Sequence, residues 1–235
     1  MHRWWRMLNQ FSRTQLLLGK ESIKRLQNAR VAVFGIGGVG GYVCEALVRS
    51  GVGAFDLIDD DKVCLTNLNR QIIATRKTVG QYKAEVMRER ILEINPDAEV
   101  NIHKCFVLPE NIDDFPFTDY DYVVDTLDTV SAKLALITKC QALHVPIISC
   151  MGAGNKKDPT AFHVSDIAQT SVCPLAKVMR KELKVRGIEN VKVVFSTEPV
   201  SRPEGQSEKI GSLVTTVAAA GILLANEVIM DLIRG

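Results

Sequence analysis

Short apolar runs alternate with segments of helical spacing in the first part of the chain. The apolar run at 31–34 ends in glycines, as a buried parallel strand often does, and residues 40–50 carry apolar side chains at helical intervals until Gly51. A second apolar run, at 55–58, ends in three aspartates. This order predicts a strand, a crossover helix and a second parallel strand joined by a right-handed connection.

The same alternation continues and predicts an α/β fold. Further elements are expected as helices at 22–29, 79–94 and 131–143 and as strands at 100–102, 122–124 and 145–149. We therefore expect a Rossmann-like, doubly wound, mostly parallel sheet with helices on both faces. The apolar runs at 161–164 and 191–195 have no crossover helices between parallel partners, so we expect them to extend the sheet as antiparallel strands.

We expect residues 1–235 to form a single domain. Within it, residues 1–29 are expected to form an N-terminal helical segment, the polar stretch 199–211 a mobile loop, and residues 212–233 a C-terminal helix. This last segment is apolar enough to consider as a membrane span, but it carries one asparagine and two acidic side chains, which are costly in hydrocarbon. We therefore expect it to pack against the sheet or a partner subunit, without stable membrane insertion.

Composition narrows the function only slightly. Apolar residues make up 46% of the chain, as in a domain with a substantial core, and a net charge of +2 is too small to require nucleic acid or membrane as a partner. The six cysteines are spread singly with no C-x-x-C pair, which excludes a four-cysteine zinc knuckle and favours a reducing compartment. Residues 1–6 also lack the apolar region of a signal peptide, so we expect a cytoplasmic protein.

A glycine-rich loop joins the first predicted strand to its helix. Gly35, Gly37 and Gly40 satisfy the pattern G-x-G-x-x-G, and Gly38 adds a fourth glycine. Glycines at such a junction let the backbone approach phosphates, while the helix N-terminus supplies free N–H donors. Asp59 ends the next strand, at the usual distance for accepting hydrogen bonds from ribose hydroxyls. These features indicate a bound nucleotide but do not separate NAD from ATP.

The sequence that follows the second strand resembles a signature of the ubiquitin-activating-like superfamily. Residues 59–71 are similar to its D-x-D-x-V-x-x-[ST]-N-L-x-R-Q pattern, residues 79–83 to V-G-x-x-K, and residues 125–128 to D-x-x-D. Residues 11–17 resemble the N-terminal segment of those enzymes, and all the pieces occur in the same order and at matching intervals. The asparagine that often follows the last aspartate of the signature is Thr129 here, which leaves the metal environment less defined.

That resemblance implies an ATP-using enzyme that adenylates a carboxylate. The matching positions imply nucleotide-binding residues at Gly35, Gly37, Gly38, Gly40, Asp59, Asp61, Asn67, Arg70, Gln71, Lys83 and Asp128. Arg70 and Lys83 would stabilise negative charge on the α-phosphorus and the departing pyrophosphate, and Asp128 would hold Mg²⁺. Arg13 would reach the ATP of a partner subunit, which implies a homodimer. Taken singly, each of these cations would be interpreted as a solvated surface charge.

Within the superfamily, the chain most resembles the family of tRNA threonylcarbamoyladenosine dehydratases. This resemblance is carried by residues 69–72, 83–87, 152–160 and 195–198. It implies that ATP activates the threonyl carboxylate of N6-threonylcarbamoyladenosine in tRNA and that a nitrogen of the same modification then closes a ring. Because ring closure is intramolecular, positioning alone could supply much of that step. A sulfur-relay protein stays open as a further partner.

Two other functions stay open. The first is an adenylyltransferase that activates the C-terminal carboxylate of a ubiquitin-like or sulfur-carrier protein, although the paired zinc cysteines usual in the sulfur-carrier kind are missing. A thioester role for Cys173 would belong to this alternative, whereas a structural role is the expectation for a single cysteine. The second is a non-catalytic regulator that binds NAD or another nucleotide.

A tRNA substrate requires contacts to phosphate, and one segment offers them. If residues 174–186 are helical, Lys177, Arg180, Lys181 and Lys184 share one face, while the apolar side chains of the segment turn elsewhere. Binding through such a stripe would weaken steeply with salt. The alternative interpretation is the solvated face of a surface helix.

Overall fold

The computed structural model describes residues 9–200 and 210–234. Residues 1–8 of the predicted N-terminal segment and most of the predicted loop at 199–211 lie outside the described residues. The described strands are β1 (Arg30–Phe34), β2 (Ala54–Ile58), β3 (Glu99–His103), β4 (Tyr122–Asp125), β5 (Ile147–Cys150), β6 (Phe162–Asp166) and β7 (Lys192–Ser196). The described α-helices are α1 (Ser12–Leu18), α2 (Lys20–Asn28), α3 (Gly40–Ser50), α4 (Lys83–Ile94), α5 (Val130–Leu143), α6 (Pro174–Val185) and α7 (Val214–Arg234).

These strands form one seven-stranded sheet in the order β3-β2-β1-β4-β5-β7-β6. The strands from β3 to β7 in this order pair in parallel, and β6 is the antiparallel strand at the edge. This confirms the doubly wound, mostly parallel sheet. The expectation that both late strands run antiparallel is wrong for β7, which is parallel to β5. The reason is that β6 itself carries the chain back to the amino-terminal edge, where β7 begins beside Asp166.

Successive residues of β1 supply the core on both faces of the sheet. Val31 and Val33 pack on the face covered by α3 and α7, whereas Ala32 and Phe34 pack on the face covered by α5 and α6. All four side chains are fully buried. A strand buried on both faces explains why its sequence is continuously apolar rather than alternating.

The start of α4 differs from the sequence prediction, since the helix begins at Lys83 and not at 79. Gly80 adopts φ +91°, which favours glycine, and its N–H donates to the carbonyl of Val63. Val63 in turn donates to the carbonyl of Gln81, so this stretch pairs with the chain that leaves β2 instead of coiling. The pairing ends where the N–H of Lys83 donates to the carbonyl of Asp61 at 2.9 Å, which sets Lys83 as the first helical residue.

Helix α7 packs closely on α3. A Cβ at Gly221 would lie 2.6 Å from the carbonyl oxygen of Val39, so only glycine permits this approach. Near its C-terminal end, Asp231 accepts hydrogen bonds from Tyr122 Oη at 2.8 Å and from Lys192 Nζ at 2.6 Å. By length and composition alone α7 could span a bilayer, but in this structure it covers the sheet, as expected.

Candidate functional site

The glycine loop lies at the carboxyl edge of the sheet, between the ends of β1 and β4. Gly35 has φ +91°, and a Cβ at Gly40 would lie 1.9 Å from the carbonyl oxygen of Gly35, so the loop folds tightly onto itself. Thr126, just after β4, donates its hydroxyl to the same carbonyl at 2.6 Å. The chain leaves β1 and β4 toward opposite faces of the sheet, and open α/β sheets bind their ligands in the crevice at this switch point.

Asp59 fastens the glycine loop to the end of β2. Its carboxylate accepts from the backbone N–H of Ile36 at 2.6 Å and from that of Asp61 at 2.8 Å. Burial raises the pKa of Asp59, while the nearby Lys83 ammonium and the two N–H donors act in the opposite direction. The structure thus places Asp59 beside the loop, and its contact with a ribose stays a prediction.

Lys83 is a buried lysine, 5% exposed at the first position of α4. Its Nζ lies 2.5 Å from Asp61 Oδ2 and 4.0 Å from Asp59 Oδ1. The side chain of Asp61 is 65% exposed. Because that partner faces solvent, an anionic ligand could take its place beside Nζ without unpacking the core.

Arg70 lies against the glycine loop at Gly38. It follows a short 3₁₀-helix (Leu65–Asn67), whose first turn is held by Asn67 Oδ1 accepting from the N–H of Cys64 at 3.0 Å. The Cγ of Arg70 is 3.4 Å from where a Cβ on Gly38 would stand. Arg70 therefore borders the loop, whereas Lys83 is joined to it through Asp59, which accepts from the N–H of Ile36. Neither is a fully solvated charge.

Gln71 contributes a polar atom that the described residues leave without a partner. The residue is 6% exposed, its Nε2 is 4.0 Å from the position of a Cβ on Gly37, and its Oε1 makes no hydrogen bond to any described residue. Buried polar atoms are nearly always satisfied in folded proteins. The amide oxygen of Gln71, next to the glycine loop, is therefore available to a ligand or a water, and its contact with a nucleotide stays a prediction.

Asp128 and Asp125 have different surroundings, although both belong to the D-x-x-D pattern. Asp128 is exposed and accepts from the hydroxyl of Thr129 at 3.3 Å. Asp125 is fully buried and pairs with Lys133 at 2.9 Å, while Ser149 Oγ donates to the same oxygen at 2.5 Å. Sequence reasoning gave Asp125 and Lys133 no role. The available signal was an acidic residue that ends a fully apolar strand.

Arg13 lies exposed on α1, a helix that buries none of its own residues. Two neighbouring apolar side chains on this helix are also exposed, Leu16 at 74% and Leu17 at 83%. None of the hydrogen bonds described above joins Arg13 to the glycine loop of its own chain. Its action on a partner's nucleotide, and the homodimer, stay predictions.

The predicted basic helix exists as α6, with Met179 and Leu183 buried. Lys177, Lys181 and Lys184 are exposed. Arg180 differs from these lysines because its Nη1 donates to the carbonyl and the hydroxyl of Thr170, both at 2.6 Å. The guanidinium therefore holds the segment before α6, which leaves three lysines as the free part of the stripe.

The six cysteines are all free thiols. Cys173 is 4% exposed and packs in the core at the start of α6, where an acyl group could not reach it without local opening. This burial agrees with the structural role expected for it. Cys140 and Cys150 are buried as well, and burial raises the pKa of Cys150 to about 12.

The chain matches the model of the ThiF family over residues 11–234. It is 41% identical over 244 residues to the tRNA threonylcarbamoyladenosine dehydratase of Bacillus subtilis (strain 168), a match that covers 97% of this chain and 96% of the relative. The structure is similar to the crystal structure of the Escherichia coli tRNA N6-threonylcarbamoyladenosine dehydratase in complex with ATP. That similarity has a TM-score of 0.90 at 39% identity and covers 96% of this chain and 94% of the other. The same E. coli enzyme in complex with AMP matches with the same TM-score, 0.90.

Proposed function

The chain belongs to the ThiF family, and on that premise we propose that it uses ATP to convert N6-threonylcarbamoyladenosine in tRNA into its cyclic, dehydrated form. Relatives that carry the name of this activity match nearly the whole chain, including the segments after β5. We also propose a cytoplasmic location, where both tRNA and ATP are available. For a sulfur-relay partner, the described residues offer no dedicated feature.

The observation that carries this proposal is the buried Lys83 beside Asp59, the carboxylate that holds the glycine loop. Its ammonium has one exposed carboxylate partner, Asp61, which the phosphates of ATP could replace. Arg70 contacts the loop itself, at Gly38. Transfer of an adenylyl group builds negative charge on the α-phosphorus and on pyrophosphate, so two cations in this place suit that reaction. Hydride transfer to a nicotinamide needs no such pair.

The reaction has two steps. A carboxylate oxygen of the threonyl group attacks the α-phosphorus of ATP, the bond to pyrophosphate breaks, and a mixed anhydride with AMP forms. A nitrogen of the same modification then attacks the carbonyl carbon, AMP leaves, and the nucleoside has lost one water overall. Arg70 and Lys83 act in the first step, while the second needs mainly a held geometry.

Asp128 fits the role of a magnesium ligand that works together with ATP. Among the described residues no three histidine, cysteine or acidic side chains group closely enough to hold a metal by themselves. Mg²⁺ commonly binds through one or two carboxylates together with substrate phosphates, and an exposed carboxylate just after β4 suits this mode. Bound there, Mg²⁺ would neutralise phosphate charge. The loop that carries Asp128 is held in place, because Asp125 Oδ1 accepts from the N–H of Leu127 at 3.1 Å.

The proposed homodimer, with Arg13 acting across it, can be tested by complementation. Arg13→Ala and Lys83→Ala proteins are each expected to be inactive alone. In a mixed dimer, one site combines an intact Lys83 with an intact Arg13 from the partner. Random mixing should therefore restore about a quarter of wild-type activity. No restoration, or a monomer that is fully active at high dilution, would exclude an arginine supplied in trans.

The proposed tRNA-binding surface is the exposed lysine stripe of α6. Replacing Lys177, Lys181 and Lys184 together by serine should weaken tRNA binding, and the slope of log K against log salt should fall by about two to three. Lys24→Ser, on α2, is the matched control for removing an exposed helical lysine. An unchanged salt slope in the triple variant would assign the stripe to ordinary surface charge.

The experiment that tests the function is mass analysis of nucleosides. tRNA that carries N6-threonylcarbamoyladenosine is incubated with the protein, with or without ATP, and then digested. The expected result is an ATP-dependent loss of one water from that nucleoside, absent with Lys83→Ala. Unchanged tRNA together with adenylation of a protein C-terminus would favour the alternative adenylyltransferase. No ATP–pyrophosphate exchange with any carboxylate would favour a nucleotide-binding regulator.

A further inference from the structure

We propose that Asn69 is a positioning residue for Arg70, an inference that rests on the role proposed for Arg70 above. The Oδ1 of Asn69 accepts from Nη1 of Arg70 at 3.0 Å. The Nδ2 of the same amide donates to the backbone carbonyl of Ser212 at 3.1 Å, 143 residues further along the chain. The amide oxygen of Asn69 thus binds the arginine of the site, and its amide nitrogen binds the segment that leads into α7.

The guanidinium of Arg70 is anchored through one nitrogen. Nη1 donates to Asn69 Oδ1 and also to the carbonyl of Thr66 at 2.9 Å, while the aliphatic part of the side chain lies along Gly38. Toward residues 9–200 and 210–234, Nε and Nη2 make no hydrogen bond. Two acceptors on one nitrogen of a planar group restrict its plane, so the remaining donors keep one direction for a phosphate.

The anchor on the other side of Asn69 is itself held. Gly211 and Asn155 exchange two hydrogen bonds, with Gly211 N donating to Asn155 Oδ1 at 2.7 Å and Asn155 N donating to the carbonyl of Gly211 at 2.8 Å. Asn155 adopts φ +55°, a left-handed conformation that asparagine tolerates better than most residues. Ser212 directly follows this pair, so its carbonyl offers Asn69 a fixed acceptor.

If Asn69 had a purely structural role, its removal would lower turnover only as far as it lowered stability. Its hydrogen bonds are exposed, so their loss should cost little stability. A small displacement of a catalytic group, in contrast, can lower a rate by orders of magnitude. If Asn69 positions Arg70, its removal should therefore change turnover far more than the melting temperature.

The test compares Asn69→Leu with Asn101→Leu, a matched replacement of an exposed asparagine on the distant edge strand β3. For Asn69→Leu we expect kcat to fall about tenfold and the Kd of ATP to rise about fivefold, with nearly unchanged Tm. The control should leave all three quantities at wild-type values. Wild-type kcat in Asn69→Leu, or a loss of kcat that follows a loss of Tm, would overturn the proposal.

A double-mutant cycle in ATP binding decides whether Asn69 acts through Arg70. In an Arg70→Ala background, Asn69→Leu should change the Kd of ATP by less than about twofold. Independent, multiplicative losses in the double variant would overturn the proposal. The cycle does not depend on the tRNA reaction. A wild-type protein that binds ATP but dehydrates no tRNA would therefore contradict the proposed function while the result on Asn69 stays interpretable.

Discussion

Two lysines near the carboxyl edge of the sheet make the same kind of ion pair in opposite surroundings. Lys83, at the start of α4, pairs with Asp61 after β2, and the two side chains are 7% and 65% exposed. Lys133, in α5, pairs with Asp125 at the end of β4, and both side chains are completely buried. The first pair has an aqueous side from which a ligand can displace the carboxylate, and the second has none.

This difference teaches how burial assigns a role to an ion pair. A fully buried pair gains little net free energy over apolar residues of similar size, but losing one partner leaves a charge that nothing compensates. The Lys133 pair is therefore part of the framework, and it supports the loop that carries Asp128 through the hydrogen bond from Leu127. In the proposed function, the Lys83 pair instead supplies an ammonium whose carboxylate partner ATP can replace.

The largest expected effect is on turnover, when the lysine of the Lys83–Asp61 pair is removed. Lys83→Ala should lower kcat by about 10²–10³-fold, because a preorganised cation no longer faces the developing phosphate charge. Tm should fall less than in Lys133→Met, because the nearer carboxylate left behind, Asp61, is solvated and the buried Asp59 keeps two backbone N–H donors. The measurement is dehydration of modified tRNA under saturating ATP, with Lys104→Ala as the control for an exposed lysine paired with Glu85. A Lys83→Ala enzyme with kcat within tenfold of wild type would contradict the role.

The next largest expected effect is on stability, when the fully buried pair of Lys133 and Asp125 loses its lysine. Lys133→Met should lower the free energy of unfolding by about 3–5 kcal/mol, because it leaves the carboxylate of Asp125 buried without its cation. For a chain of this length that corresponds to a fall in Tm of about 10 °C, and kcat below the transition should be largely kept. Adding Asp125→Asn should recover part of the loss, since no lone charge remains. An unchanged Tm in the single variant would contradict the framework role of the pair.

A matched pair of carboxylate substitutions sharpens the contrast. Asp61→Asn should cost less than about 1 kcal/mol of unfolding free energy, as is usual for a pair with one solvated partner. Asp125→Asn removes the charge that faces a fully buried ammonium and should cost several times more. Urea denaturation of both variants under one set of conditions gives the comparison. Equal losses would mean that exposure does not distinguish the two pairs.

The smallest expected effect is a pH dependence of stability that arises from Asp59, beside Lys83. Burial raises the pKa of Asp59, so the folded protein binds this proton more tightly than the unfolded chain. The contribution of Asp59 to stability therefore falls as pH rises from its unfolded pKa through its folded pKa. Relative to Asp59→Asn, wild type should gain stability as pH is lowered from neutral toward about 4. Unfolding free energies measured over this range check the sign, and a difference independent of pH would contradict it.

The sequence predicted those parts of the structure that depend on local pattern. Strand, glycine loop and helix are adjacent along the chain and depend on local sequence. The predictions of β1, the loop and α3 were therefore correct, including the end of α3 at Ser50. The start of α4 was not, because Val63 and Gly80 pair across a long connection. The direction of β7 was also missed, since it depends on β6 having already reversed the chain.

The candidate site divides in the same way. Arg70 and Lys83 were predicted from their motifs, and the structure brings Arg70 to the glycine loop and Lys83 to Asp59, the carboxylate that holds this loop. The unsatisfied amide oxygen of Gln71 could not be predicted, because it depends on what surrounds the side chain in three dimensions. The pairing of Asp125 with Lys133 and the bridge from Asn69 to Ser212 likewise join groups whose meeting only the folded chain defines.

The contacts of Asp231 have a consequence for how the apolar helix α7 should be interpreted. A hydropathy profile averages over side chains and cannot register that this carboxylate holds a tyrosine of β4 and a lysine of β7. Transfer of α7 into lipid would strand both groups and open the notch that Gly221 makes for Val39. The apolar side chains of α7 are those that a helix needs in order to pack on a sheet, and the hydrogen bonds of Asp231 fix its C-terminal end there.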